Sequence, residues 1–277
     1  MNEYEYFKPE SLKEASELLL KYSGEASILN GGTDIIVRMR DNHLNPKALV
    51  DIKGISELSK LTFDEVNGLF IGAAVNLNVI GDNADVQKHY PYFAQAAFSI
   101  GSRQVRNRAT CIGNICNASP LADTATPLVS LNATVLIYGP DGEKEVPITE
   151  FFVFVRKTIL KNGEIVKGIK VPFSKDAKGI FSKMSRRREV DLSTVCSTVI
   201  KDNDKYMISF GAVAPTPIRA PKTEEYLNNN TLSESVIEKA CEIVSNEIAP
   251  IDDIRASKEY RKEMARVMLK RSLSEFI

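Results

Sequence analysis

Two polar loops that carry glycine residues could hold a large ligand bearing phosphate groups. The first loop, Asn30–Asp34, reads Asn-Gly-Gly-Thr-Asp and follows a short apolar run, Ser27–Leu29. Because Gly31 and Gly32 lack a Cβ, the backbone can turn there and come close to a ligand. Free N–H groups at the start of a following helix would favour an anion. Taken alone, this short motif is more typical of an ordinary strand–turn–helix corner.

The second loop, Arg106–Thr124, offers more groups that could bind a ligand. Gly113 permits a close approach of the backbone. Asp123 could accept a hydrogen bond from a sugar or polyol hydroxyl, and the alternative is a helix cap at Asp123–Thr124. Hydroxyl and amide side chains come from Thr110, Asn114, Asn117 and Ser119. Together the two loops predict two backbone cradles that close on one large polar ligand.

Regular elements must position these loops. Ser11–Glu14 is a capping box that predicts a helix ending near Gly24, and Thr33 or Asp34 is expected to cap the helix after the first loop. The remaining patterns predict strands at 48–52, 69–73, 164–172, 193–201 and 206–213, a helix at 92–100 and a polar linker at 174–179. Two helices close the chain, and their expected apolar faces are Val236, Ile237, Ala240, Ile243 and Val244, then Tyr260, Met264, Val267 and Met268.

Composition and motif searches exclude several function classes. The 277 residues include 36 Lys plus Arg and 36 Asp plus Glu, and this zero net charge argues against general nucleic-acid binding. No apolar run reaches membrane-spanning length, and Met1–Glu5 does not resemble a signal peptide, so a cytoplasmic location is expected. The chain has no G-x-G-x-x-G and no G-x-x-x-x-G-K-S/T, so neither a Rossmann site nor a P-loop is predicted.

Cysteine and histidine usage argues against a metal centre on this chain. Cys111 and Cys116 have the spacing that begins a plant-type iron–sulfur motif, but Ser119 stands where the next ligand would fall. The chain has only 2 His, which does not favour a zinc site. We therefore expect these two cysteines, with Cys196 and Cys241, to be small buried apolar residues.

The combined motifs resemble those of one family, the FAD-binding medium subunits of molybdenum hydroxylases such as xanthine, nicotinate and carbon monoxide dehydrogenases. The resemblance covers essentially the whole chain and rests most on Ile28–Asp34, Ile100–Thr110, Gly113–Thr124 and Phe181–Arg188, with Asp191 following. Relatives usually have glycine where this chain has Ile112. If the backbone at that position needs a positive φ, a β-branched residue would be costly there.

The resemblance implies an α+β fold of the vanillyl-alcohol-oxidase (PCMH-like) type, with two subdomains that clasp FAD and a C-terminal α/β domain. We place the FAD-binding domain at 1–173, with subdomains at roughly 1–54 and 55–173, and the C-terminal flavoprotein domain at 179–277. No catalytic residue is assigned, because the cofactor carries the redox chemistry. The resemblance implies non-covalent FAD, held by Leu29, Asn30, Gly31, Gly32, Thr33, Asp34, Ile35, Gly101, Thr110, Cys111, Ile112, Gly113, Asn114, Asn117, Asp123 and Lys183.

The same resemblance implies an electron-transfer subunit. In the family, a large subunit with a molybdenum cofactor oxidises a purine, N-heterocycle, aldehyde or similar substrate. Electrons then pass through 2Fe–2S clusters on a small subunit to FAD, and from FAD to an acceptor such as NAD+. Two alternatives stay open: a stand-alone flavin-dependent oxidoreductase of the same fold, and a non-enzymatic nucleotide-binding module. Six arginines could either lie on the solvated surface or contact a phosphate group or a partner protein: Arg103, Arg106, Arg108, Arg186, Arg187 and Arg188.

Overall fold

The β-strands form three separate sheets and one short hairpin in the computed structural model, which describes residues 3–277. Met1 and Asn2 lie outside the described residues. The first residues of the predicted FAD-binding domain, and of the segment that does not resemble a signal peptide, are therefore not described. Mostly antiparallel sheets with separate helices confirm the predicted α+β class. Among the described residues, none of the helices combines the length and the apolar character that a membrane crossing requires.

A small parallel sheet opens the chain. Its elements are β1 Glu5–Phe7, α1 Leu12–Lys21, β2 Ala26–Leu29, α2 Ile35–Arg40 and β3 Ala48–Asp51. The strands lie in the order β1-β3-β2. As predicted, Ser11 Oγ caps α1 by accepting a hydrogen bond from the Glu14 N–H at 3.2 Å, and the helix ends before Gly24. Two 3-10 turns, Ile52–Gly54 and Ser56–Ser59, lead to the next sheet.

A five-stranded antiparallel sheet follows, with helices inserted between its strands. Its elements are β4 Leu61–Asp64, β5 Gly68–Gly72, α3 Leu77–Asp82, α4 Ala84–His89, α5 Pro91–Phe98, α6 Arg103–Arg106, α7 Cys111–Cys116, α8 Ala125–Ser130, β6 Thr134–Gly139, β7 Gly142–Pro147, α9 Ile148–Phe151, β8 Phe152–Phe154, β9 Lys157–Thr158 and β10 Ile165–Val171. The strand order is β4-β5-β10-β6-β7, and β8 pairs only with β9. The helix predicted at 92–100 is α5, and it leads into the second loop through α6.

A four-stranded antiparallel sheet and three helices complete the chain. Their bounds are β11 Lys178–Met184, β12 Val195–Asp202, β13 Lys205–Gly211, β14 Ile218–Arg219, α10 Pro221–Asn228, α11 Glu234–Val244 and α12 Lys258–Ser274. Cys196 and Ile200 of β12 join the core of the preceding region, whereas Val195 and Val199 pack with the last helices. Because successive side chains of a strand point to opposite faces, this sheet is covered on both sides and ties the two halves of the chain together.

The predicted apolar face of the last helix is wrong in part: Met268 is buried and Met264 packs against the core, but Tyr260 is misplaced. Tyr260 is 44% exposed, whereas Arg261 is only 3% exposed. The Arg261 guanidinium donates to the carbonyl oxygens of Thr194 and Ala212, and to the Asp253 carboxylate at 2.7 Å. A charged group can be buried when it is paired and hydrogen-bonded, so hydrophobic periodicity alone misplaced this face. The rest of the buried face consists of Ala265, Met268, Leu269, Ser272 and Leu273.

Candidate functional site

The two predicted loops meet at one cleft between the small parallel sheet and the five-stranded sheet. The cleft has a volume of about 480 Å³. The first loop follows β2, and the second loop begins at the end of α6 and carries α7. The predicted site residues that line the cleft are Asn30, Gly31, Gly32, Thr33, Asp34, Ile35, Thr110, Ile112, Gly113, Asn114 and Asn117. The structure therefore brings together most of the predicted set.

Gly31 lies where the first loop touches the backbone of the second. A Cβ on Gly31 would stand 2.3 Å from the carbonyl oxygen of Arg108 and 3.0 Å from the Cα of Ala109. Any larger residue would therefore force the two loops apart. Gly32 has a φ of +80°, in the left-handed region that favours glycine. The close approach of the two loops depends on this pair of glycines.

The cleft presents polar groups that this chain leaves without partners. Asn30 is buried and donates its Nδ2 to the carbonyl oxygen of Ala73 at 2.7 Å, but its Oδ1 has no partner among the described residues. The N–H groups of Thr33, Asp34 and Ile35 likewise have no acceptor within residues 3–277. Buried polar groups are nearly always hydrogen-bonded, so the unpartnered Asn30 Oδ1 is the significant group here. The three N–H groups belong to exposed or half-buried residues at the start of α2, where N–H groups commonly lack a partner within the chain. These groups therefore fit a ligand that donates to Asn30 and accepts from backbone N–H groups, as FAD can.

Thr110 and Ile112 lie at the start of α7. Thr110 is the N-cap residue, and its Oγ1 accepts a hydrogen bond from the Gly113 N–H at 2.9 Å. Ile112 follows within the helix and is not among the residues with positive φ. The positive φ that would make a β-branched residue costly at this position is therefore absent. The Ile112 side chain instead forms part of the cleft wall.

Arg156 holds the two loops together at the rim of the cleft. Its Nη1 donates to Asp34 Oδ2 at 3.0 Å and to Asn117 Oδ1, and its backbone N–H donates to the carbonyl oxygen of Ala118 at 2.9 Å. Asp34 occupies the predicted N-cap position of α2, but its side chain makes no cap bond and binds Arg156 instead. The sequence analysis did not find Arg156, because a single arginine in a hairpin turn belongs to no motif.

Asp123 and Lys183 lie together, outside the lining of the cleft. Lys183 Nζ donates to Asp123 Oδ2 at 2.6 Å and to the carbonyl oxygen of Ser99 at 3.0 Å, and Ser193 Oγ donates to Asp123 Oδ1. The lysine and aspartate side chains are only 13% and 5% exposed. Of the alternative cap at Asp123–Thr124, Thr124 does occupy the N-cap position of α8, without a side-chain cap bond, and Asp123 does not cap the helix. Contact of Asp123 or Lys183 with a cofactor stays a prediction.

Three other predicted residues, Leu29, Gly101 and Cys111, also lie outside the lining. The Gly101 carbonyl accepts a hydrogen bond from Arg106 Nη1 at 3.1 Å, and this bond fixes the turn that places Ile100 in the cleft wall. Burial raises the pKa of the Cys111 thiol to about 12. The thiol is therefore protonated at neutral pH, which does not favour a covalent bond to a flavin.

One wall of the cleft was missed by the sequence analysis. This wall is the segment 160–166, which joins the β8–β9 hairpin to β10. Its end was predicted only as a strand, and it carries no motif beyond a single Gly163. Other lining residues that the analysis did not select are Leu19, Ala26, Ser27, Ile28, Arg38, Leu44, Ile52, Leu77, Ile100, Val105, Ala109 and Cys116.

Apposed glycine loops, free N–H groups and an α+β scaffold define a protein that binds a phosphate-bearing cofactor. Comparison with known families agrees with this class. Residues 2–174 match the FAD binding domain in molybdopterin dehydrogenase, and residues 180–276 match the CO dehydrogenase flavoprotein C-terminal domain.

Individual relatives match along nearly their whole length. The chain is 33% identical to the xanthine dehydrogenase FAD-binding subunit of Escherichia coli O157:H7, over 98% of this chain and 95% of that protein. It is 27% identical to the nicotinate dehydrogenase FAD-subunit of Eubacterium barkeri, over 98% and 95%. A solved chain of carbon monoxide dehydrogenase from Hydrogenophaga pseudoflava superposes with a TM-score of 0.94 at 30% identity, covering 99% of this chain and 96% of that chain.

The chain belongs to the family of FAD-binding medium subunits of xanthine, carbon monoxide and nicotinate dehydrogenases, the molybdenum hydroxylases. The predicted family, fold type and oxidoreductase class are confirmed.

Proposed function

We propose that this chain holds one FAD non-covalently in the cleft and passes electrons through it within a molybdenum hydroxylase complex. The observation that carries this proposal is the unpartnered Asn30 Oδ1 beside the free N–H groups of Thr33, Asp34 and Ile35. These N–H groups would hold a phosphate, and Asn30 would accept from a hydroxyl or amino group. When bound, FAD supplies the redox chemistry, and the chain supplies binding and orientation.

The Asp123–Lys183 pair would act on the flavin through the cleft wall. Lys183 donates to the carbonyl oxygen of Ser99, next to Ile100, which lines the cleft. Arg106 donates to the carbonyl oxygens of Ile100 and Gly101. We propose that these two cations fix the turn against the bound cofactor. Direct contact of Asp123 or Lys183 with the flavin is part of the same proposal.

The proposed partners are a large molybdenum-cofactor subunit and a small 2Fe–2S subunit. Support comes from relatives that are named as FAD-binding subunits or medium chains of dehydrogenases. Electrons would reach FAD from the small subunit and leave to an acceptor such as NAD+. The substrate of the complex would be a purine, N-heterocycle, aldehyde or similar compound bound on another chain. We retain the division into a FAD-binding domain, 1–173, and a C-terminal domain, 179–277, as part of this proposal.

Metal and flavin analysis of the natively purified protein tests the proposal. We expect FAD, molybdenum and iron in one complex that contains this chain. A yellow protein that purifies alone and oxidises a substrate without metal would support the stand-alone flavin oxidoreductase instead. A colourless protein that binds nucleotides but no flavin would support the non-enzymatic module.

A further inference from the structure

Arg38 is a cation that lines the cofactor cleft without a counter-ion. It lies on α2, one turn after the first loop, and it is half-buried. Its guanidinium makes no ion pair and no hydrogen bond with any of residues 3–277. A guanidinium has five N–H donors, and a charge that is partly removed from water is unfavourable without a partner. The chain alone therefore leaves Arg38 in need of an anion.

Two carboxylates stand at helical spacing from Arg38, and other cations hold both of them. Asp34 precedes Arg38 by four residues, a spacing that allows an ion pair on a helix. Asp34 Oδ2 instead accepts a hydrogen bond from Arg156 Nη1 at 3.0 Å. Asp41 follows Arg38 by three residues, but its Oδ1 accepts from Arg40 Nε at 2.9 Å. The neighbouring carboxylates of α2 therefore do not neutralise Arg38.

The lining of the cleft carries a surplus of positive charge. Its acidic members, Asp34 and Glu164, are each paired with a cation that lies outside the lining. Its basic members, Arg38 and Lys161, make no ion pair in the part of the chain that the structure describes. Such a surplus favours an anionic ligand. Lys161 is exposed to solvent, so Arg38 is the member that most needs the ligand's charge.

Arg38 also lies close to the N–H groups that would hold a phosphate. The free N–H groups of Thr33, Asp34 and Ile35 belong to the start of α2. Arg38 follows Ile35 by three residues, which is about 4.5 Å along a helix axis. Long side chains on a helix lean towards its N-terminus. The Arg38 guanidinium can therefore reach a phosphate that lies at the start of α2.

We infer that Arg38 is a further cofactor-binding residue, whose guanidinium pairs with the diphosphate of FAD. This inference rests on the proposed function, because it assumes that FAD is the ligand of the cleft. The flavin, ribityl and adenosine parts of oxidised FAD are uncharged, so the diphosphate is the part that can neutralise Arg38. The planar guanidinium can donate to two phosphate oxygens at once, which a lysine cannot. Arg38 therefore adds a charged contact to the backbone contacts of the first loop.

Titration of the flavin-free, full-length chain with FAD at low and high salt tests this role. Arg38→Gln removes the charge, and Arg38→Lys keeps the charge without the two-pronged geometry. Arg40→Gln is the matched control, because Arg40 is an exposed arginine on the same helix and lies outside the lining of the cleft. At low salt we expect the dissociation constant to rise at least about tenfold for Arg38→Gln, less for Arg38→Lys, and less than about twofold for Arg40→Gln. High salt should weaken FAD binding by the wild type more than by Arg38→Gln, because salt screens the charge pair that the variant lacks.

Other outcomes separate this residue from the cofactor proposal. If Arg38→Gln bound FAD as tightly as the wild type does, Arg38 would not contact the cofactor, and the proposed function would remain intact. A loss of affinity that is equally large at low and high salt would show that the substitution distorts the cleft, and it would also overturn the inference. A wild-type chain that binds no FAD would instead contradict the proposed function.

Discussion

Replacing Gly31 with alanine should weaken FAD binding by separating the two loops that form the cleft. The new Cβ would stand 2.3 Å from the carbonyl oxygen of Arg108, whereas carbon–oxygen contacts normally measure about 3.3–3.6 Å. One loop must therefore move by about 1 Å. Overpacking of this kind typically costs about 1–3 kcal/mol, which corresponds to about a 5- to 150-fold rise in the dissociation constant.

The free chain can relieve this contact by opening the loops, so its melting temperature should change little. The cofactor-bound chain cannot, because both loops must close on the ligand. Titration of flavin-depleted protein with FAD measures the effect, and Gly54→Ala is the control, since a Cβ there would meet no atom within 4 Å. If Gly31→Ala bound FAD within twofold of wild type, the close contact between the loops would have no role in binding.

Two further substitutions test ion pairs in which at least one partner is buried. Asp123→Asn should lower the free energy of unfolding of the flavin-free protein by up to about 3–5 kcal/mol, because it leaves the buried Lys183 charge without its partner. If urea unfolding showed unchanged stability while FAD bound more weakly, Asp123 would act on the flavin alone. Burial alone would raise the pKa of Asp253, but backbone N–H groups and Arg261 lower it to about 2. A depressed carboxyl pKa stabilises the fold above the unfolded-state value of about 3.9 and loses this effect as the pH falls towards 2. At pH 6 the wild type should be more stable than Asp253→Asn by about 2 kcal/mol. Urea unfolding should show that this difference in stability shrinks between pH 5 and pH 3. A difference that does not change with pH would contradict this reasoning.

The two glycine loops could be predicted from sequence because their requirements are local. Turning the chain beside a strand and approaching another backbone both need a residue without Cβ, and Gly31 and Gly32 supply this in adjacent positions. The predicted capping box at Ser11–Glu14 is equally local. The cap formed by Thr110 is also local, but it was not predicted. These features place most of the cleft before any tertiary contact is known.

Long-range pairs could not be predicted in this way. Lys183 and Asp123 lie on separate elements, and nothing near either residue indicates that the other satisfies its charge. Arg261 did not enter the predicted apolar face of its helix, because periodicity treats every arginine as polar. Arg156 marks the cleft rim only through contacts with Asp34 and Asn117, which the fold alone brings near. The roles of such residues can be recognised only when the tertiary structure shows which partners bury and bind them.

Titration of the flavin-free chain with FAD, followed by acid precipitation, tests the central claim most directly. We predict binding of one FAD per chain and release of all the flavin into the supernatant, because the cleft offers hydrogen bonds and burial, which raises the pKa of the cleft-lining Cys116 to about 12, keeps that thiol protonated. A chain that binds no FAD, or a pellet that keeps the yellow colour, would contradict non-covalent binding in this cleft.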